Sequence, residues 1–365
     1  MDRWSDWRNA RLIDPGFHRW AALFPLTRGV ARRRAAAVFD LVAGFVYTQI
    51  LLACVRLDVF NVLKTGAEPL PTLAHRLSLS MESAKRLLDA AVALRLLEKR
   101  GDDVYALGVL GAPLVDNAAL AAMIEHHSLL YADLRDPVAL LRGEAPTPAL
   151  AAYWPYAMAT HPDDLPTESV DPYTALMSRS QSLVADEILD AYSFASHRCL
   201  LDVGGGDGTF LAAVALRYPM LQLKLFDLPA VARRAQSRFS RAGLENRASA
   251  VGGDFLSDAL PSGADVISLV RVVHDHDDER VMKLFSAARR ALAPGGTLLI
   301  AEPLAETPGA KAMGDAYFSF YLLAMGRGQP RTASRLADML KAAGFSAPRL
   351  QRTRMPLQTS VLIAN

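Results

Sequence analysis

The chain has 365 residues, 51% of them hydrophobic, and its 40 basic and 38 acidic side chains leave a net charge of +2. That is enough apolar material for two cores, and so even a balance argues against nucleic acid as the partner of the whole chain. Cys54 and Cys199 are too few for a disulfide framework and suit a reducing compartment, and Met1-Asp2-Arg3-Trp4 lacks the charged-then-apolar order of a signal peptide, so a cytoplasmic protein is expected.

The first 34 residues break that balance, with eight arginines against Asp2, Asp6 and Asp14 for a local net charge of +5. Trp4, Trp7 and Trp20 lie among them, with Phe17 and Phe24. Arginine meets anionic headgroups while an indole sits at the polar boundary, so one reading is a segment lying on a membrane surface. The other is an arm packed on its own protein or on a partner subunit. The uncharged run Leu41 to Val55 follows, fifteen residues bracketed by Asp40 and Arg56 and interrupted by Thr48 and Gln49. It is shorter than the roughly 20 residues of a span, so a buried or intersubunit helix is expected.

Between about 57 and 110 the pattern is helix, turn, helix, hairpin. Leu70 to Leu77 starts one helix, Met81 to Leu97 gives a second, and Leu96 to Leu107 reads as two strands around Gly101-Asp102. This winged-helix pattern raises DNA binding, but Glu82, Asp89 and Glu98 offset Lys85, Arg86 and Arg95, and a dimerisation or scaffold role is expected instead. From 112 to 172 helices alternate with proline-rich breaks. Beyond Tyr173, helices alternate with apolar strands near 199–203, 223–228, 248–252, 265–271 and 297–301. A closing pair near 348–354 and 357–364 is split by Met355-Pro356. That order predicts an α/β domain, a mostly parallel sheet with helices on both faces and a terminal antiparallel hairpin, as in class I methyltransferases with a Rossmann-like sheet. The expected organisation is a basic arm over 1–34, a helical winged-helix domain over 35–165 and a cofactor-binding domain over 166–365.

The run Leu201-Asp202-Val203-Gly204-Gly205-Gly206-Asp207-Gly208-Thr209 marks the cofactor site. Its glycines are spaced G-x-G-x-G, whereas a dinucleotide fingerprint wants G-x-G-x-x-G and a P-loop ends in Gly-Lys-Ser/Thr, so NAD and ATP are both disfavoured. S-adenosyl-L-methionine fits a strand, a terminal Asp202 and a turn stripped of side chains at Gly204 and Gly206. Asp227, closing the next strand, would hold the ribose hydroxyls. Asp254 would accept from the adenine amine, and Phe255 would cover a ring face.

His274, after the fourth strand of the sheet, is the candidate general base, since an imidazole accepts a proton near neutral pH. Glu302, ending the fifth, would orient it. The bland alternatives are a capping or surface histidine and a solvated acid. His274 to Glu279 also looks like a metal cluster, but consecutive residues point in different directions and no distant ligand pair completes a set, so no metal is expected.

These residues together resemble the plant-type, metal-independent O-methyltransferases. The resemblance runs through the winged helix, Asp202 to Gly208, Phe226-Asp227-Leu228-Pro229, Gly253-Asp254-Phe255, His274-Asp275 and Ala301-Glu302-Pro303. It implies a homodimer, His274 as base, Glu302 as its orienting acid, Met177 over the reacting centre and Gln181 near the cofactor. Three positions depart. Val270 stands where the family often has lysine, with Arg271 beside it as the cofactor contact; His276 replaces a tryptophan; and Pro330 replaces a second orienting glutamate. The amino terminus, with Trp7-Arg8-Asn9 and Phe24-Pro25-Leu26-Thr27-Arg28, is similar to the carotenoid 1-hydroxyl methyltransferases of purple photosynthetic bacteria. That narrower likeness implies a long apolar acceptor with a tertiary hydroxyl. It also implies peripheral contact with the photosynthetic inner membrane. Met313, Tyr317 and Tyr321 would help line the acceptor channel. Another pigment, a small phenol, a winged-helix regulator and a catalytically weak scaffold stay open as alternatives.

Overall fold

The computed structural model describes residues 3–153, 178, 180–181 and 184–365. They form two compact units, Met1–Asn117 and Ala118–Asn365.

The first unit opens with three helices, α1 (Arg3–Ile13), α2 (Pro15–Leu23) and α3 (Arg28–Arg56). Asp14 starts α2 by accepting the Gly16 amide at 2.8 Å, with Pro15 at the position where no amide is needed. The uncharged run does not form a buried helix within this chain. It is the middle of the 29-residue α3, whose only buried residues are Leu52 and Cys54, while Leu41 is 84% exposed and Phe45 68%. Apolar side chains surround this helix instead of forming one stripe, so a single core cannot cover them. By length and composition α3 is also long and apolar enough to cross a membrane, with a mean hydropathy of 1.9 in its most apolar 18-residue window.

The winged helix follows. Helices Leu70–Arg76 and Met81–Ala93 pack with β1 (Glu68–Pro69), β2 (Leu97–Lys99) and β3 (Val104–Leu107), an antiparallel sheet in the order β1-β3-β2. Leu63, Leu73, Leu88, Leu97 and Tyr105 are fully buried in its core. Lys85 and Lys99 both pair with Asp103, at 2.7 and 2.8 Å, so the wing's lysines are neutralised locally.

The second unit contains a seven-stranded sheet: β4 (Cys199–Val203), β5 (Gln222–Asp227), β6 (Ala248–Gly252), β7 (Ala264–Val270), β8 (Leu292–Glu302), β9 (Arg349–Gln351) and β10 (Ser360–Ala364). The order is β6-β5-β4-β7-β8-β10-β9, parallel from β6 to β8, with β10 antiparallel to both β8 and β9. Adjacent side chains point to opposite faces, so Leu200 and Leu201 enter two separate cores, which is why the strands are apolar throughout. The strand order reverses at β4. An open α/β sheet leaves a crevice at the carboxyl ends of its strands at such a point, and the glycine turn opens there.

Candidate active site

Chain geometry at the end of β4 depends on glycine. Gly204 has φ +71°, and a Cβ there would lie 2.6 Å from Val272 Cγ2. Gly206 has φ +61°, but nothing stands within 4 Å of where its Cβ would be. One glycine admits Val272, in the segment that follows β7; the other leaves open space along the cleft wall.

That cleft is lined by the turn, by Asp202, Asp227, Asp254 and Phe255, and by Val270 to Val272. Asp202 Oδ1 accepts the Ser268 hydroxyl at 2.6 Å, while its buried Oδ2 has no hydrogen-bond partner. Burial pushes its carboxyl up to about 7. Asp227 accepts the amides of Gly206 at 2.8 Å and Leu228 at 2.7 Å, and burial pushes it up to about 6. A buried acceptor without a donor, an acidic floor, and apolar walls at Leu228, Val231 and Phe255 suit a nucleoside that carries a cationic sulfonium.

The expected cofactor residues all line this space, some with protein partners of their own. Asp254 Oδ1 accepts the Leu256 amide at 2.9 Å. Arg271, at φ +55°, donates to Ser180 Oγ at 2.8 Å and to Gln181 Oε1. Phe255 meets His276 edge to face, with centroids 5.2 Å apart. Sequence reading missed the Asp207–Arg238 ion pair beneath the turn, which also holds Thr209.

His274 sits on a single 3₁₀ turn, Val273–Asp275, directly after β7. Its Nδ1 bonds to Glu302 Oε2. The other oxygen of Glu302 accepts the amides of Val272 at 2.9 Å and Val273 at 2.6 Å, so this buried carboxylate is held on both sides. Nε2 stands 3.1 Å from Asp275 Oδ1. Burial alone would depress the imidazole, but Asp275 and Glu302 outweigh it and raise His274 to about 9. Asp275 itself, raised by burial to about 7, lines the cleft. The segment around Pro330 supplies no carboxylate. It clamps the turn instead: the Gln329 amide donates to the His274 carbonyl at 2.9 Å, and Arg331 donates to the carbonyls of Val273 at 2.9 Å and His276 at 2.7 Å.

The expected acceptor residues separate. Met313 is half-buried in a π-helix, Ala312–Tyr317. Tyr317 and Tyr321 direct their hydroxyls to His127 and His126, each at 2.9 Å, so those polar ends are occupied. Phe318, between them, meets the His274 ring edge-on at 5.8 Å. Met177 lies outside the described residues. Among the described residues no group of three or more His, Cys, Asp or Glu could hold a metal ion.

Residues 131–346 match the O-methyltransferase domain family, and residues 39–117 match the O-methyltransferase dimerisation domain. The chain belongs to the plant-type O-methyltransferases. As one of them it is an S-adenosylmethionine-dependent O-methyltransferase, and its dimerisation domain supports a homodimer. It is 41% identical to the demethylspheroidene O-methyltransferase of Cereibacter sphaeroides, over 95% of this chain and 91% of that one. It is also 41% identical to the demethylspheroidene O-methyltransferase of Rhodobacter capsulatus, over 93% and 84%. The solved structure of a methyltransferase in calicheamicin biosynthesis, in an SAH-bound form, superposes with a TM-score of 0.76 at 25% identity, covering 91% of this chain and 98% of that one.

Proposed function

We propose that this O-methyltransferase methylates the tertiary 1-hydroxyl of an acyclic carotenoid, in the cytoplasm and in peripheral contact with the membrane that holds the pigment. The observation that carries the mechanism is the imidazole of His274 bracketed by Glu302 and Asp275 at the edge of the cofactor cleft. The names of the two demethylspheroidene O-methyltransferases support the acceptor.

Asp202, Asp227, Asp254, Phe255, Gln181 and Arg271, with the amides of the glycine turn, would hold the cofactor, which supplies a methyl group made electrophilic by its sulfonium. Glu302 keeps the proton of His274 on Nδ1, leaving Nε2 as the basic atom. A tertiary alcohol has little acidity, so Nε2 takes its proton only as the oxygen bonds to carbon. The imidazolium formed then lies between two carboxylates, which stabilise it. Orientation of the alcohol can contribute about 7–11 kcal/mol, so positioning outweighs the strength of the base. Phe318 against the ring supplies an apolar wall suited to a polyene end.

The test is purified protein with S-adenosylmethionine and a lipid extract from a photosynthetic bacterium blocked in methylation, with a catechol in parallel, followed by mass spectrometry. Methyl addition to a hydroxycarotenoid alone is expected. Methylation of the catechol alone would retain the reaction and discard the acceptor.

A further inference from the structure

Helices α1 and α2 present an outer surface that neither the cofactor site nor the dimerisation domain accounts for. Trp4 is 62% exposed, Trp7 59% and Trp20 50%, and α2 has no buried residue at all. Tryptophan is a large and amphipathic side chain, so three of the chain's four on open helices call for an occupant. The guanidinium of Arg8 lies over Trp4 at 5.3 Å and that of Arg11 over Trp7 at 5.8 Å. Each pair is four residues apart on α1, so cation and indole share one side of the helix. On α2, Trp20 stacks on Phe24 at 5.0 Å and meets Phe17 at 5.7 Å.

We propose that α1 and α2 form a docking surface for an anionic lipid bilayer, with the indoles at the headgroup boundary and the arginines on lipid phosphate.

Three observations favour lipid over a second copy of the chain. The match to the dimerisation domain begins at residue 39, so the exposed apolar residues of α3 from Phe39 onward fall inside it and those of α1 and α2 fall outside. The first 34 residues leave +5, with Arg3, Arg8, Arg11 and Arg19 on α1 and α2 and Arg28, Arg32, Arg33 and Arg34 at the start of α3, still ahead of the dimerisation match, and a copy carrying the same charge repels this segment where a phosphate surface attracts it. Arginine and tryptophan on one side of a short helix is the arrangement of a segment lying in an interface plane, apolar rings inward and cations level with the headgroups. The proposal rests on the carotenoid reading for its purpose, since such an acceptor is dissolved in a membrane, but its geometry does not depend on that reading.

Full-length protein is sedimented with vesicles of phosphatidylcholine alone or mixed with phosphatidylglycerol, at low and high salt, while tryptophan emission is recorded. Binding to the anionic vesicles with a blue shift, weakened by salt, is expected. Replacing Arg8, Arg11 and Arg19 by glutamine should lower partitioning about fivefold per arginine. The triple variant should raise KM for acceptor presented in vesicles and leave detergent-dispersed acceptor unaffected. Equal binding to both vesicle types, or none at low salt, would overturn the proposal. So would a triple variant that sediments as a smaller species yet keeps its vesicle binding, which would give the surface to a second copy. These vesicles contain no pigment, so vesicle binding without carotenoid methylation would sink the acceptor reading and leave this one standing.

Discussion

At the scale of single residues, the two carboxylates around His274 set the pH dependence. The base must be neutral to accept a proton, so activity rises with pH; with His274 raised to about 9, the half-point of kcat/KM should lie above 6.5, the ordinary imidazole value. Asp275→Asn removes the negative charge 3.1 Å from Nε2 and should move that half-point toward acid, where a purely structural role would leave it in place. The charged groups facing this pair are Glu302 on β8 and Arg271 at the end of β7, and both remain in the variant. His274→Ala should lower kcat by roughly 10²–10⁴-fold and leave S-adenosylhomocysteine binding by calorimetry unchanged; a loss under tenfold would remove it as the base. Asp202 carries a stability consequence of the opposite kind. Its folded value of about 7 exceeds the ordinary 3.8, so its ionised form costs stability above that range and nothing below it. Asp202→Asn should therefore raise the melting temperature of the cofactor-free protein above about pH 7 and lose that gain toward about pH 4, while weakening cofactor binding.

At the scale of elements, the glycine turn makes two separable demands. Gly204→Ala forces a left-handed backbone on alanine and drives a Cβ to 2.6 Å from Val272, so it should destabilise the fold by about 1–3 kcal/mol, read by chemical unfolding. Gly206→Ala meets no atom within 4 Å, so it should cost only the strain, about 1 kcal/mol, and show mainly as weakened cofactor binding. Most elements were legible because their signals are local: the Gly101-Asp102 turn of the wing, the glycine run after β4, and an acid at or next to the ends of β4, β5 and β8. β8 was read too short, at 297–301, because Pro294-Gly295-Gly296 looks like a turn. The strand runs from Leu292 because Leu292 pairs with Ala264 across a register shift. The π-helix before Phe318 has no sequence signature of comparable strength.

At the scale of the whole molecule, the helices at Ala118–Asp133, Pro137–Arg142 and Ala149–Tyr153 belong to the second unit, since Leu130, Leu140 and Leu150 share a core with Tyr321 and Met325. A chain read in order sees only proline breaks there, and either assignment satisfies them. The exposed apolar face of α3 is the corresponding feature in the first unit. It lies largely within the dimerisation domain, so Phe45→Asp should leave a monomer in sedimentation velocity and abolish the dependence of melting temperature on protein concentration. A variant that stays dimeric would move the interface elsewhere.

The sequence by itself pointed to the α/β class, the winged helix, the cofactor turn and, as separate residues, His274 and Glu302, because each is written in a local run such as the glycine turn or the acid that ends β8. Tertiary structure alone decided how those residues are used. It brought Glu302, 28 positions on, to Nδ1 of His274, the proposed base, and it closed the turn with Arg331, 58 positions from Val273. It turned the hydroxyls of Tyr317 and Tyr321 toward His127 and His126, residues 190 and 195 positions away. It also left α3 uncovered within this chain, which excludes the buried half of the expectation and leaves the intersubunit half. Contacts at that separation follow from which surfaces meet when the sheet and helices pack, and no local pattern of residue types encodes them.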